Sequence, residues 1–311
     1  QAIADNLNAR FNCNAKASEL FMTCGCAPAL VSVAHALTTS PEDEFIAIAP
    51  FFPEYNVFFT CAGAKLAVVP ADTVHFQIDM DALEKTINEH SVAVVINSPN
   101  NPSGVVYTEE TLTKIAELLE RKSKEYGHPI YIVADEPYRE LVYVDKEIVF
   151  IPDLYDNTII AYSWSKSLSI PGDRLGYLAV SPKSDNVEEF MATATVANRI
   201  SGDTNAPSII QLAVERCLDA QVDIPYYKKN AEDLYKIVTD AGFTAVVPQG
   251  AFYLWVKSPV ADEKELVAAA KEERILAVPG SAFACPGYIR LSFCISNETI
   301  QRSAESFAKL G

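Results

Sequence analysis

The chain has 311 residues, 49% of them hydrophobic and 21% charged, enough for one large domain beside a smaller one with a substantial core. Its formal charge of -16 argues against nucleic acid or an anionic membrane surface as a main partner, since both repel an acidic surface. No apolar stretch approaches a membrane span, the first residues lack the basic-then-apolar pattern of a signal peptide, and the seven scattered cysteines and four separated histidines form no zinc-ligand pattern, so free thiols in a reducing cytoplasm are the simpler account.

The chain opens on Gln1-Ala2-Ile3-Ala4-Asp5-Asn6-Leu7, which reads as the middle of an amphipathic helix, and we expect the natural protein to start further upstream. From residue 20 to about 182, short apolar runs alternate with segments of helical period. The runs cover 45–49, 65–69, 92–96, 130–134, 158–162 and 175–180. Between them, Thr108 is placed to cap a helix in which Leu112, Ile115, Ala116 and Leu119 share one face. Runs without polar alternation, separated by helices, predict an α/β fold with a mostly parallel sheet covered on both sides. In such sheets ligands bind beyond the carboxyl ends of the strands. Near residue 222 the character changes: Pro225 lies in the first turn of a long helix ended by Gly242, and a strand at 252–257, a helix over about 262–274 and strands near 275–278 and 288–294 follow. We read a large domain over 1–221 and a smaller C-terminal α+β domain over 222–311.

Polar clusters follow several of the runs. Thr23-Cys24-Gly25-Cys26-Ala27-Pro28-Ala29 precedes a helix through Leu37. Its small residues let backbone N–H groups approach a phosphate at the positive end of the helix dipole, or simply allow close packing. Asn97-Ser98-Pro99-Asn100-Asn101-Pro102-Ser103-Gly104 is either a tight surface turn or a loop that holds an asparagine amide rigidly. Asp135-Glu136-Pro137-Tyr138 ends another run. There Asp135 either caps a helix or pairs with a ring nitrogen and favours its protonated form, and Tyr138 on its own is equally a core aromatic.

Ser163-Trp164-Ser165-Lys166, with Arg174 eight residues on, suits one chemistry especially well. The amine forms a Schiff base with an aldehyde cofactor, while the hydroxyls and guanidinium hold that cofactor's phosphate. The bland alternative is an exposed lysine in a polar loop. In Tyr288-Ile289-Arg290-Leu291-Ser292-Phe293, Arg290 takes the face opposite Ile289, Leu291 and Phe293. It is either a solvent-facing strand residue or a bidentate grip for an α-carboxylate.

Taken in order, these clusters, with Pro50-Phe51-Phe52-Pro53-Glu54-Tyr55 and Gly250-Ala251-Phe252-Tyr253, resemble the class I/II pyridoxal-phosphate aminotransferases related to aspartate aminotransferase, of fold type I. The resemblance implies a mostly parallel, seven-stranded-type sheet sandwiched by helices, pyridoxal 5'-phosphate as cofactor, amino acid and 2-oxo acid substrates, and a homodimer. It implies Lys166 as the Schiff-base lysine and proton carrier, Asp135 as the partner of the ring nitrogen, Tyr138 and Asn101 on the cofactor's phenolic oxygen, and Phe52 stacked on its ring. Ser163, Arg174 and the backbone N–H groups of Cys26 and Ala27 would hold the phosphate; Arg290, with Asn101, would bind the substrate carboxylate. The family's chains also carry a segment upstream of the residues seen here. The same apparatus serves carbon–sulfur β-lyases, and a non-catalytic regulator module is a third reading.

Overall fold

The computed structural model describes residues 1–11, 13–145 and 148–311. Among them, strands β1 (Leu20–Thr23), β2 (Glu44–Ile48), β3 (Lys65–Val69), β4 (Ser91–Asn97), β5 (Tyr131–Asp135), β6 (Thr158–Ser163) and β7 (Gly176–Val180) form one sheet in the order β1-β7-β6-β5-β4-β2-β3. The pairs from β3 through β6 are parallel, and β7 runs antiparallel to both of its neighbours. The uniformly apolar runs sort into two faces once they are extended. Ile46, Ile48, Val94, Ile96, Ile132 and Ile160 enter one core; Phe45, Ala47, Ala93, Val95, Val133 and Ile159 enter the other. A sheet buried on both sides has no need of polar alternation, which is why the sequence shows none.

Helices cover each face. Ala29, Leu30 and Val33 of the helix Cys26–Leu37 pack on one side with Phe190 and Ala194 of Val187–Ile200. On the other lie Leu112, Ile115 and Leu119 of Glu109–Tyr126. The Thr108 side chain accepts from the Thr111 N–H at 3.1 Å and Gly127 closes the helix at φ 78°, the start and stop expected of a polar cap and a left-handed glycine. No helix among the described residues is long and apolar enough to cross a membrane.

A second, antiparallel sheet holds β8 (Thr244–Ala245), β9 (Tyr253–Lys257), β10 (Val278–Pro279) and β11 (Tyr288–Ser292) in the order β10-β11-β9-β8. Its core joins Leu254, Val256, Ile289 and Leu291 to Ala231, Leu234 and Val238 of the helix Ile224–Asp240. Two expectations shift here. The strand near 275–278 shrinks to Val278–Pro279: the Ile275 N–H bonds back to Ala270 O at 2.8 Å, so the preceding residues close a turn rather than extend. The helix before it is Glu263–Glu272, shorter than expected because Arg274 turns left-handed at φ 62°. In addition, β1 lies in none of the apolar runs, its four residues being ordered by pairing with β7.

Candidate active site

The carboxyl ends of β1, β2, β4, β5 and β6 meet at one edge of the large sheet, and the polar clusters gather there. Cys26, Ala27, Phe52, Asn97, Asn101, Asp135, Tyr138, Ser163, Lys166, Arg174, Tyr253 and Arg290 share a cavity of about 300 Å³. Every residue singled out from the sequence as catalytic, cofactor-binding or substrate-binding lines it.

At the floor is Asp135, the last residue of β5 and buried. It does not cap a helix. The Tyr55 hydroxyl donates to its Oδ2 and the Cys26 thiol lies 3.0 Å from its Oδ1. Asn97 Nδ2 reaches its backbone carbonyl at 2.8 Å and, more weakly, Oδ2 at 3.4 Å. Burial drives the Asp135 pKa up from 3.8 to about 6, while the thiol and phenol hydrogen bonds pull against it. These donors were not legible as a set. Asn97 stands beside Asp135 because β4 and β5 pair in that register, and Tyr55 arrives from the helix Glu54–Cys61. The Cys26 side chain, of a residue expected to serve through its backbone N–H alone, is engaged with the carboxylate.

At the other end, the Gly25–Cys26 turn places the start of the helix Cys26–Leu37 against Arg174. Gly25 has φ 105°, and a β-carbon there would stand 2.7 Å from Arg174 Nη2, so only glycine lets the guanidinium come this close. Gly176 is as tightly held: its β-carbon would lie 2.7 Å from the Gly25 carbonyl carbon. Arg174 itself is left-handed (φ 53°) and donates to Pro171 O at 2.9 Å, which fixes its direction. Ser163 and Ser165 are buried beside it. A guanidinium, two hydroxyls and the N–H groups of a helix start make an anion cradle.

Between the two ends, Lys166 sits in the one-turn helix Trp164–Ser167 after β6. Its amine lies 5.2 Å from the Phe252 ring centroid. Desolvation lowers its pKa, Cys294 opposes the fall and Arg174 adds to it, a setting that favours a nucleophilic amine. On the adjoining wall Arg290 donates to Asn101 Oδ1 at 2.9 Å and lies between the Tyr253 and Phe283 rings, 4.4 and 4.8 Å from their centroids. Its face of β11 is therefore not the solvent-facing one. Tyr138 is buried with its hydroxyl 3.0 Å from that of Tyr253. Phe52 meets Tyr55 edge-on, 5.7 Å between centroids. Just outside the cavity, Arg139 forms a buried ion pair with Glu136. The Arg139 guanidinium lies 4.8 Å from the Tyr162 ring centroid, 5.6 Å from that of Phe11 and 5.9 Å from that of Phe150.

An anion cradle, an amine, an amide with a phenol, and a buried carboxylate line the cavity, and this donor set fits a phosphorylated pyridine aldehyde at each of its polar groups. The comparisons agree with that class. Residues 1–307 match the family Aminotransferase class I and II. An aspartate aminotransferase of Thermotoga maritima is 31% identical over 98% of this chain and 78% of its own length. An aspartate/prephenate aminotransferase of Thermus thermophilus is 30% identical over 100% and 80%. Among solved structures, an aminotransferase from Eubacterium rectale superposes with a TM-score of 0.97 at 48% identity, covering 99% of this chain and 78% of that one. The chain belongs to the class I and II aminotransferases and is a pyridoxal-phosphate-dependent transaminase.

Proposed function

We propose that this transaminase attaches its cofactor through Lys166 as a Schiff base and moves an amino group from an α-amino acid to a 2-oxo acid with the residues assembled above. One observation carries the reading: a single cavity brings the Lys166 amine, the buried Asp135 carboxylate and the Arg174 cradle together. When bound, pyridoxal 5'-phosphate supplies an aldehyde that captures amines and a ring that accepts the electron pair left at the substrate Cα.

Each side chain then has a task. Arg174, Ser163, Ser165 and the Cys26 and Ala27 N–H groups hold the phosphate. Asp135, kept acceptor-only by its donors, holds a proton at the ring nitrogen. Tyr138 and Asn101 bond the phenolic oxygen, and Phe52 covers the ring. Arg290 grips the substrate α-carboxylate, its fork already aimed by two aromatic faces. With the cofactor and substrate bound, Lys166 Nζ would be the group placed to hold and return the proton of the substrate Cα.

We take residues 1–221 and 222–311 as the two domains, with one sheet on either side of that division. We further propose a cytoplasmic homodimer. Free thiols at all seven cysteines support the first term. Exposed Val196, Ile200, Ile209 and Leu212, at 56%, 72%, 74% and 64% on two consecutive helices, support the second.

Borohydride reduction of the cofactor-loaded protein followed by peptide mapping tests the assignment. The label belongs on Lys166, and Lys166→Ala loses both covalent capture and amino transfer. A label on another lysine refutes the reading. A panel of amino donors with 2-oxoglutarate as acceptor then defines the substrate.

A further inference from the structure

Tyr253 opens β9 and holds none of the roles assigned so far. Its hydroxyl lies 3.0 Å from that of Tyr138, and the two rings meet edge-on at 5.9 Å and 77°. The Arg290 guanidinium carbon stands 4.4 Å from the Tyr253 ring centroid. The residue is buried and lines the cavity. One flat side chain thus touches, on its face, the cation placed for a carboxylate and, at its tip, the hydroxyl placed for a phenolic oxygen. It also comes from the small sheet, whereas Tyr138 follows β5 of the large one.

We propose that Tyr253 is a positioning residue that acts through both neighbours: its hydroxyl donates to Tyr138 Oη, leaving the Tyr138 proton free for the cofactor's phenolic oxygen, and its ring face holds the Arg290 fork for the substrate. The proposal rests on the roles given above to Lys166, Tyr138 and Arg290. A phenol that accepts a hydrogen bond becomes the stronger donor. With the cofactor bound, Tyr138 would draw more electron density from the phenolic oxygen, and a proton at the Lys166 nitrogen would be held less tightly. The ring has a separate function, since a guanidinium laid on an aromatic face keeps its in-plane donors free for a carboxylate.

The two functions separate by substitution. In Tyr253→Phe the ring stays and the hydroxyl goes. The pH midpoint of the visible absorbance of the cofactor-bound protein should rise by roughly half a unit, the size expected when part of one hydrogen bond is lost, with KM for the amino donor unchanged. Tyr253→Leu should show the same rise and, in addition, a KM raised roughly tenfold. In a Tyr138→Phe background, Tyr253→Phe should leave the midpoint where Tyr138→Phe alone puts it. A Tyr253→Phe titration superimposed on that of the natural protein overturns the proposal. So does an equal KM rise in both variants, or an independent shift in the Tyr138→Phe background. A natural protein that stays colourless with the cofactor would instead sink the Lys166 assignment, so the two failures are told apart.

Discussion

Taken out of water without partners, a carboxylate keeps its proton, and Asp135 shows how far its neighbours reverse that. Burial raises it to about 6 in the cofactor-free protein, against hydrogen bonds from Cys26 and Tyr55. Because the folded value lies above the ordinary 3.8, this group's stabilising contribution is complete below about pH 4 and is lost as the pH rises through about 6. The difference of about two units corresponds to a loss on the order of 3 kcal/mol. Urea denaturation of the cofactor-free protein from about pH 4 to about 7 should show this loss, and Asp135→Asn should lack it. In Cys26→Ala the step should move to higher pH, because one donor to the ionised form is gone, and Cys26→Ser should restore it. Arg290→Ala should raise KM for amino acids by roughly 10- to 100-fold, with cofactor absorbance unchanged; Arg290→Lys should recover only part, lacking the planar fork. Asp135 and Lys166 stood out in the sequence because one ends an apolar run and the other sits in a Ser-rich turn after one, and Arg174 because it is a second cation eight residues on. The Cys26 thiol, Tyr55, Asn97 and Tyr253 were not, because their partners are 38 to 115 residues away and only strand register and domain packing bring them together.

Secondary elements set the precision of the proposed phosphate cradle. The turn after β1 and the start of β7 touch backbone to backbone, and a β-carbon at Gly176 would collide with Tyr162 O as well as with Gly25. Backbone atoms on a buried sheet have little room to yield. Gly176→Ala should therefore cost about 1–3 kcal/mol and loosen the cofactor, seen as a lower Tm and faster cofactor release. Gly172, in the neighbouring turn, has nothing within 4 Å of the place a β-carbon would take, and Gly172→Ala should change neither. The long parallel strands were legible because double burial leaves an unbroken apolar signature. The short elements were less so: β1 and β8 have four and two residues, too few for a period to register, and their extension comes from the strand beside them, while β10 was expected over 275–278 and keeps only Val278–Pro279.

At the scale of the whole molecule, an acidic protein of charge -16 keeps Lys166, Arg174 and Arg290 facing one cavity. The surface repels anions in general, while these three cations give the cavity the local field that the proposed phosphate and carboxylate roles require. If the exposed aliphatic residues on the helices Val187–Ile200 and Ser208–Glu215 join two copies, Ile209→Asp with Leu212→Asp should shift sedimentation toward the monomer; unchanged sedimentation would place the contact elsewhere. Neither charge nor composition revealed this surface, since amphipathic patterning marks an apolar stripe without saying whether the chain's own core or another copy covers it.

The Glu136–Arg139 pair reaches further than its position suggests. Arg139 follows directly on Tyr138, and one of the rings screening its guanidinium is Phe11, at the end of the helix Ala2–Phe11. Replacing Phe11 by alanine would strip a cover from an ion sequestered away from solvent and let water in behind the loop that carries Tyr138. A Phe11→Ala variant should consequently lose grip on its coenzyme before it loses its fold, a dimmer on turnover rather than a cut in the scaffold.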